Sequence, residues 1–236
     1  MYKEDSRFEP PEKEAKIWRY MDFVKFLWML NHQCLYFCRV DKFKDEDPFE
    51  GSWQPSEFLK NIPKERAVNL VEQANSCGPP ITINCWHLND CESAAMWKLY
   101  GGVNKGIAIQ STFGRLVKAF EIFPDDIYIS KVRYIDYKID KFKGEDVEIF
   151  EPVITKRKSF EHEKELRAII WDTSKITVRS ENGSVCANIN LKELIDKIYI
   201  APFAPTWHKN IIQVIIKKFG LEISVEQSEI NKKPLY

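Results

Sequence analysis

A chain of 236 residues can bury one substantial core, and 44% hydrophobic with 13% aromatic residues, including seven Trp, excludes a disordered protein. Thirty-five basic residues balance thirty-five acidic ones, so no global field favours nucleic acid or an acidic membrane. No apolar run approaches a membrane span, and the polar opening with its two prolines has no apolar signal-peptide stretch.

In chain order, residues 1–16 read as a flexible N-terminal arm and 17–236 as a single globular domain. Trp18 to Leu30 carries apolar residues at helical spacing, with Asp22 a candidate cap, although 16–20 alone reads equally as a strand. LYFCRV, 35–40, predicts a strand, followed by a charged loop, 41–55, broken at Pro48 and turning at Gly51. Residues 55–75 favour helix and stop at Cys77-Gly-Pro-Pro80. ITINCWHL, 81–88, predicts a strand, and Cys91 to Tyr100 a helix ending at Gly101-Gly102.

Residues 106–110 predict a short buried strand, and Ser111 or Thr112 caps a helix over 113–120. Alternation predicts one strand over 126–137, then a charged insertion over 138–150. A strand follows over 166–171, then a hairpin turning at Glu181-Asn-Gly-Ser184. LKELID predicts a short helix and KIYIAP a strand. Pro205 and Gly220 bracket the clearest helix, and LEISVEQ closes as a strand. Interleaved elements with hairpin-like connections define an α+β class, a mixed and largely antiparallel sheet flanked by helices.

The six cysteines form no C-x-x-C pair, and several sit in apolar segments as small core residues. That usage fits a reducing, cytoplasmic setting. The four histidines are scattered without metal spacing, and no P-loop, GxGxxG or GxSxG pattern occurs.

Three stretches carry candidate chemistry. In FEHEKELRAIIW, 160–171, a strand places Glu161, Glu163, Glu165 and Arg167 on one face, with neighbours two apart separated by about 7 Å. Such acids raise one another's pKa while Arg167 lowers them, a setting for acid–base work or for stabilising a cation. The alternative is a helical turn bearing ion pairs such as Arg157 with Glu161. In Cys85 to Ile109, Glu92, Met96 and Tyr100 share one helical stripe and Ser93 and Trp97 the next, fit to line a pocket for a flat ligand or simply to fill a core. In FKDEDPFEG, the acids Asp45, Glu46, Asp47 and Glu50 flank Pro48-Phe49, either a surface loop or oxygen ligands for a hard cation. Lys156-Arg157-Lys158 is the densest basic cluster and reads as a solvated face.

Taken together, WRY, FKDEDPFEG, CW with ESAAMWKLYG and KGIAI, KRKSFEHEKELR, and IYIAPFAPTW with FGL resemble, in that order, a widespread bacterial and phage family known only as a domain of unknown function. More remotely the chain resembles ADP-ribosyltransferases. That resemblance implies NAD as substrate, an early strand whose Arg grips it, aromatics around the nicotinamide, and a late strand opening with E-x-E. On it, Glu165, Glu163 and Arg167 form the catalytic set, and Arg19, Tyr20, Ser93, Trp97 and Tyr100 bind NAD. A clean S-T-S triplet is missing, with Ser93, Tyr100 or the GIAIQST stretch as stand-ins.

The resemblance further implies a bacterial toxin or antiphage defence effector, partnered by an antitoxin or regulator. The acceptor (protein, nucleic acid or small molecule) stays open. Two other classes remain: a divalent-metal hydrolase or nuclease on Asp47, Glu92 and Glu163, and a non-catalytic nucleotide- or protein-binding module.

Overall fold

A computed structural model describes residues 1–45, 47–51, 65, 81–140, 150–171 and 182–234. Among them, nine strands join into one sheet: β1 (Lys16–Met21), β2 (Cys34–Arg39), β3 (Ile81–Leu88), β4 (Ile107–Thr112), β5 (Tyr128–Lys131), β8 (Glu165–Trp171), β9 (Val185–Asn188), β10 (Lys197–Ile200) and β11 (Ser224–Gln227). All of its pairings are antiparallel except β10 with β11. The expected α+β class, a largely antiparallel sheet with flanking helices in a single domain, is the architecture found.

The sheet forks at β3. One edge of β3 pairs with β8 from Ile81↔Trp171 to His87↔Glu165. Its other edge is shared, with β2 at Ile83↔Cys38 and Thr82↔Arg39, and with β1 at His87↔Trp18 and Leu88↔Ile17. A separate parallel pair, β6 (Arg133–Ile135) and β7 (Thr155–Arg157), sets Tyr134 opposite Lys156.

Strand alternation gives the sheet two different faces. One carries Ile17, Met21, Trp86, Ile109, Leu166 and Ala168 into the main core. Four helices cover it: α1 (Phe23–His32), α3 (Phe113–Ala119), α5 (Leu191–Leu194) and α6 (Thr206–Lys218). The other face carries Trp18 and Tyr20, and Ile81, Ile83 and Ile169, into two smaller clusters. There it is covered by α2 (Ala94–Met96), which runs into a π-turn over Trp97–Gly101, and by α4 (Glu151–Ile154).

Several expectations change. The run from Trp18 to Leu30 is not one helix: β1 ends at Met21, and Asp22 caps α1 by accepting from the Lys25 backbone N–H at 2.8 Å. Residues 126–137 are not one strand, because the chain leaves β8 after Lys131 and pairs with β7 from Arg133. The residues before β1 have defined contacts: Tyr2 bridges to Ile127, and the Phe8 ring stacks on Tyr128 at 5.1 Å. Cys34 and Cys186 are not free thiols but form a disulfide joining β2 to β9, which removes the cysteine argument for a reducing compartment. Cys38, Cys85 and Cys91 are free. The expected helix over 55–75, the stop at 77–80, most of the 138–150 insertion and the first half of the hairpin lie outside the described residues. No helix among the described residues is long and apolar enough to cross a membrane.

Candidate functional site

Strand β8 starts at Glu165, not at Phe160. The preceding residues form a 3₁₀ turn, Lys158–Glu163, closed by Lys164 in the left-handed conformation at φ 41°. Glu161 is therefore exposed and outside the row expected for a continuous strand. Glu163 and Glu165 nevertheless meet, because both reach the same cation. The Lys156 ammonium, on β7, donates to Glu163 Oε2 at 2.5 Å and to Glu165 Oε1 at 2.7 Å.

A third acid comes from the loop before residue 52. Glu50 lies 3.5 Å from Lys156 Nζ and pairs with the Arg167 guanidinium. Arg167 also donates from Nε to Glu165 Oε2, and from a terminal nitrogen to the Val153 carbonyl, both at 2.7 Å. Glu50, Glu163, Glu165, Lys156 and Arg167 are all buried. The Phe160 ring covers the lysine, with its centroid 4.8 Å from Nζ.

The aromatic residues stand beside this cluster on the same face. Tyr100, on the π-turn, donates its phenol proton to Glu163 Oε1 at 2.6 Å. His87 Nδ1 donates to the Glu163 carbonyl at 2.6 Å, and the Tyr134 phenol oxygen accepts from the Glu165 backbone N–H at 2.8 Å. The Tyr20 ring contacts Trp97 at 5.1 Å and His87 at 6.2 Å, and its hydroxyl accepts from the Ser93 N–H. Ser93 Oγ caps α2. A cavity of about 550 Å³ opens next to Glu165, lined also by Tyr134, Lys131, Glu161, His162 and Lys164.

The two carboxyls differ electrostatically. Burial raises the Glu163 pKa, and the Glu165 carboxylate beside it adds to that rise. Burial acts on Glu165 too, but Arg167 and then Lys156 overcome it and hold the group well below the usual carboxylate range. Lys156 shows the reverse balance: burial lowers its pKa, and Glu165 and Glu50 more than restore it. Burial lowers His87, so its imidazole is neutral at neutral pH.

Of the expected site residues, Glu163, Glu165, Arg167, Tyr20, Ser93, Trp97 and Tyr100 share one face of the sheet. Arg19 does not. It alternates with Trp18 and Tyr20, points to the helix-covered face, donates to the Cys85 carbonyl at 3.2 Å and sits over the Trp86 ring. Burial there lowers its pKa to about 10. Trp97 is fully buried with its indole N–H on Glu92, so it is a wall of the aromatic cluster with no free face for stacking. Arg167 is shut behind Glu165 and Glu50, where it positions acids and does not reach outward.

Sequence reasoning missed Lys156, taken with Arg157 and Lys158 as a solvated patch; its signal was the apolar run Pro152-Val153-Ile154 leading into it. Glu50 stands in sequence only among the acids of a surface loop or of a cation site, and His87 and Tyr134 carry no sequence signal of their own. Two of the three acids of the metal-hydrolase reading are committed away from Glu163: Asp47 pairs with Arg157 at 2.8 Å, and Glu92 accepts from Trp97 and from the Glu229 N–H. Asp45 and Glu46 have no described side chains, and among the described residues no cluster of His, Cys, Asp or Glu could hold a metal. No family model, curated protein or solved structure significantly matches this chain.

Proposed function

We propose that the protein is an NAD-consuming enzyme of the ADP-ribosyltransferase kind, acting at the Glu163–Glu165 pair. The observation that carries this reading is two neighbouring buried carboxyls driven in opposite directions by their surroundings, with Glu165 on the wall of an open cavity of about 550 Å³. Paired acids with separated pKa values divide into one that stays ionised and one that carries a proton.

Cleaving the bond from the ribose to nicotinamide sends the bonding electrons out with the leaving group and builds positive charge on the sugar. Glu165, kept anionic by Lys156 and Arg167, stabilises that charge. Glu163 exchanges a proton with the acceptor. Tyr100, exposed at its ring, offers a face to the nicotinamide. Arg19 has no part in this scheme, which leaves the cavity-lining Lys131 and Lys164 as cations for the phosphates. The acceptor stays open among protein, nucleic acid and small molecule. Toxin or antiphage activity with an antitoxin partner belongs to the same proposal and rests on the resemblance. A cytoplasmic setting is the expectation from cysteine usage, and the Cys34–Cys186 bond weighs against it.

The test is release of free nicotinamide from NAD by the purified protein. Wild type is expected to release it, and Glu165→Gln to be slower by roughly 10²-fold or more, the usual effect of losing a group aimed at transition-state charge. Absence of NAD binding and of nicotinamide release with every acceptor class overturns the reading.

A further inference from the structure

The buried cluster does not balance. Three carboxylates, Glu50, Glu163 and Glu165, face two cations, Lys156 and Arg167. The other groups packed against Glu163 and its partners supply no further charge. Tyr100, Tyr134 and the Cys85 thiol are all pushed upward in pKa, chiefly by burial, and so are neutral. His87 is neutral as well, and the nearby Arg157 is cancelled by Asp47. One negative charge is therefore left over in a region shielded from water, where an uncompensated ion is far more costly than a bound proton.

The contacts single out where that proton sits. Glu165 has two cationic partners, Lys156 and Arg167, and so does Glu50. Glu163 has one, Lys156, and its other neighbours are a neutral phenol and the Glu165 carboxylate, which favours a proton on it. That phenol reaches the surface: Tyr100 is 44% exposed, while Glu163 is 4% exposed.

We propose that the cluster stores one proton on the Glu163 carboxyl at neutral pH, and releases it through Tyr100 when a cationic ligand enters. A ligand cation brings the balance to three and three, so the carboxyl ionises: the Glu163 O–H, turned to the phenol oxygen across the Tyr100 contact, passes its proton there as the phenol gives its own to water, and the phenol then donates to the carboxylate; no other bond changes. The ligand class is thus one carrying a fixed positive charge, as the N-glycosyl pyridinium of NAD does. This ligand half rests on the functional reading above; the stored proton does not. Tyr100 is here a positioning residue and proton conduit.

Infrared spectra of protein labelled with ¹³C-glutamate test the stored proton in the ligand-free chain. A protonated-carboxyl band is expected at neutral pH in wild type and not in Glu163→Gln, a near-isosteric neutral replacement. In Tyr100→Phe, which removes only the hydroxyl, the band is expected to persist but shift. A wild type without the band, or a band unchanged in Glu163→Gln, overturns the proposal, and an unshifted band in Tyr100→Phe removes Tyr100 from the path. Calorimetry of NAD binding in buffers of different ionisation enthalpy tests the release, with about one proton expected per NAD bound, and none in Glu163→Gln. Binding without release overturns the coupling. If NAD fails to bind, the functional reading falls and the infrared band alone decides the proton.

Discussion

Glu163 and Glu165 are identical side chains one residue apart from being neighbours, yet they play opposite electrostatic parts. Lys164 makes this possible: its left-handed backbone closes the 3₁₀ turn, so one acid arrives from the turn and the other from the strand. Because the Glu165 pKa is depressed on folding, its contribution to stability is fully present above the unfolded carboxylate value and is lost as pH falls through the folded one. Glu163 has the opposite sign, since its raised pKa stabilises the fold at acidic pH and ceases to do so as pH rises through the folded value. Glu165→Gln weakens hydrogen bonds to two buried cations, while Glu163 ionises in its place and keeps the charges balanced, so it is expected to cost about 1.5–3 kcal/mol at neutral pH. Urea unfolding at neutral and acidic pH checks this, because the deficit relative to wild type must shrink on acidification. An equal deficit at both pH values would show that Glu165 is not ionised in the folded protein.

At the level of elements, local signals worked where they were self-contained. β3 has the bounds its β-branched content predicts, Thr112 caps α3 as expected by accepting from the Arg115 N–H, and Gly220 follows α6 in the positive-φ conformation. The Trp18–Leu30 misreading has a physical cause. β1 is buried on both faces, so its apolar run lacks alternation and merges with the apolar face of α1. The pairing of Cys34 with Cys186 was equally invisible, since 152 positions separate two residues that only the β2–β9 contact brings together. Closing so long a loop stabilises a fold by about 2–5 kcal/mol. Cys186→Ser is therefore expected to lower the melting temperature measurably, while a reductant lowers that of wild type and leaves the variant unchanged.

For the molecule as a whole, the class and the acid pair were legible, and the charge network was not. Glu50, Lys156 and Glu165 come from a loop, a strand of the small parallel pair and a strand of the main sheet, and no spacing along the chain encodes their meeting. Arg19 failed for the opposite reason. Its neighbours Trp18 and Tyr20 do belong to the site's face, but a strand turns every second side chain away.

The fork at β3 also dictates which part of the chain comes apart last. β1, β2 and β8 all hydrogen-bond to this one strand, so none of the three can leave the sheet without breaking a ladder into it. Its amides should exchange with deuterium only when the entire molecule opens, whereas those of β11, held on one side alone among the described residues, should exchange through local fraying. Mass-spectrometric exchange of peptides from the two strands would reveal that ranking, and equal rates would mean that the branch point does not govern cooperativity.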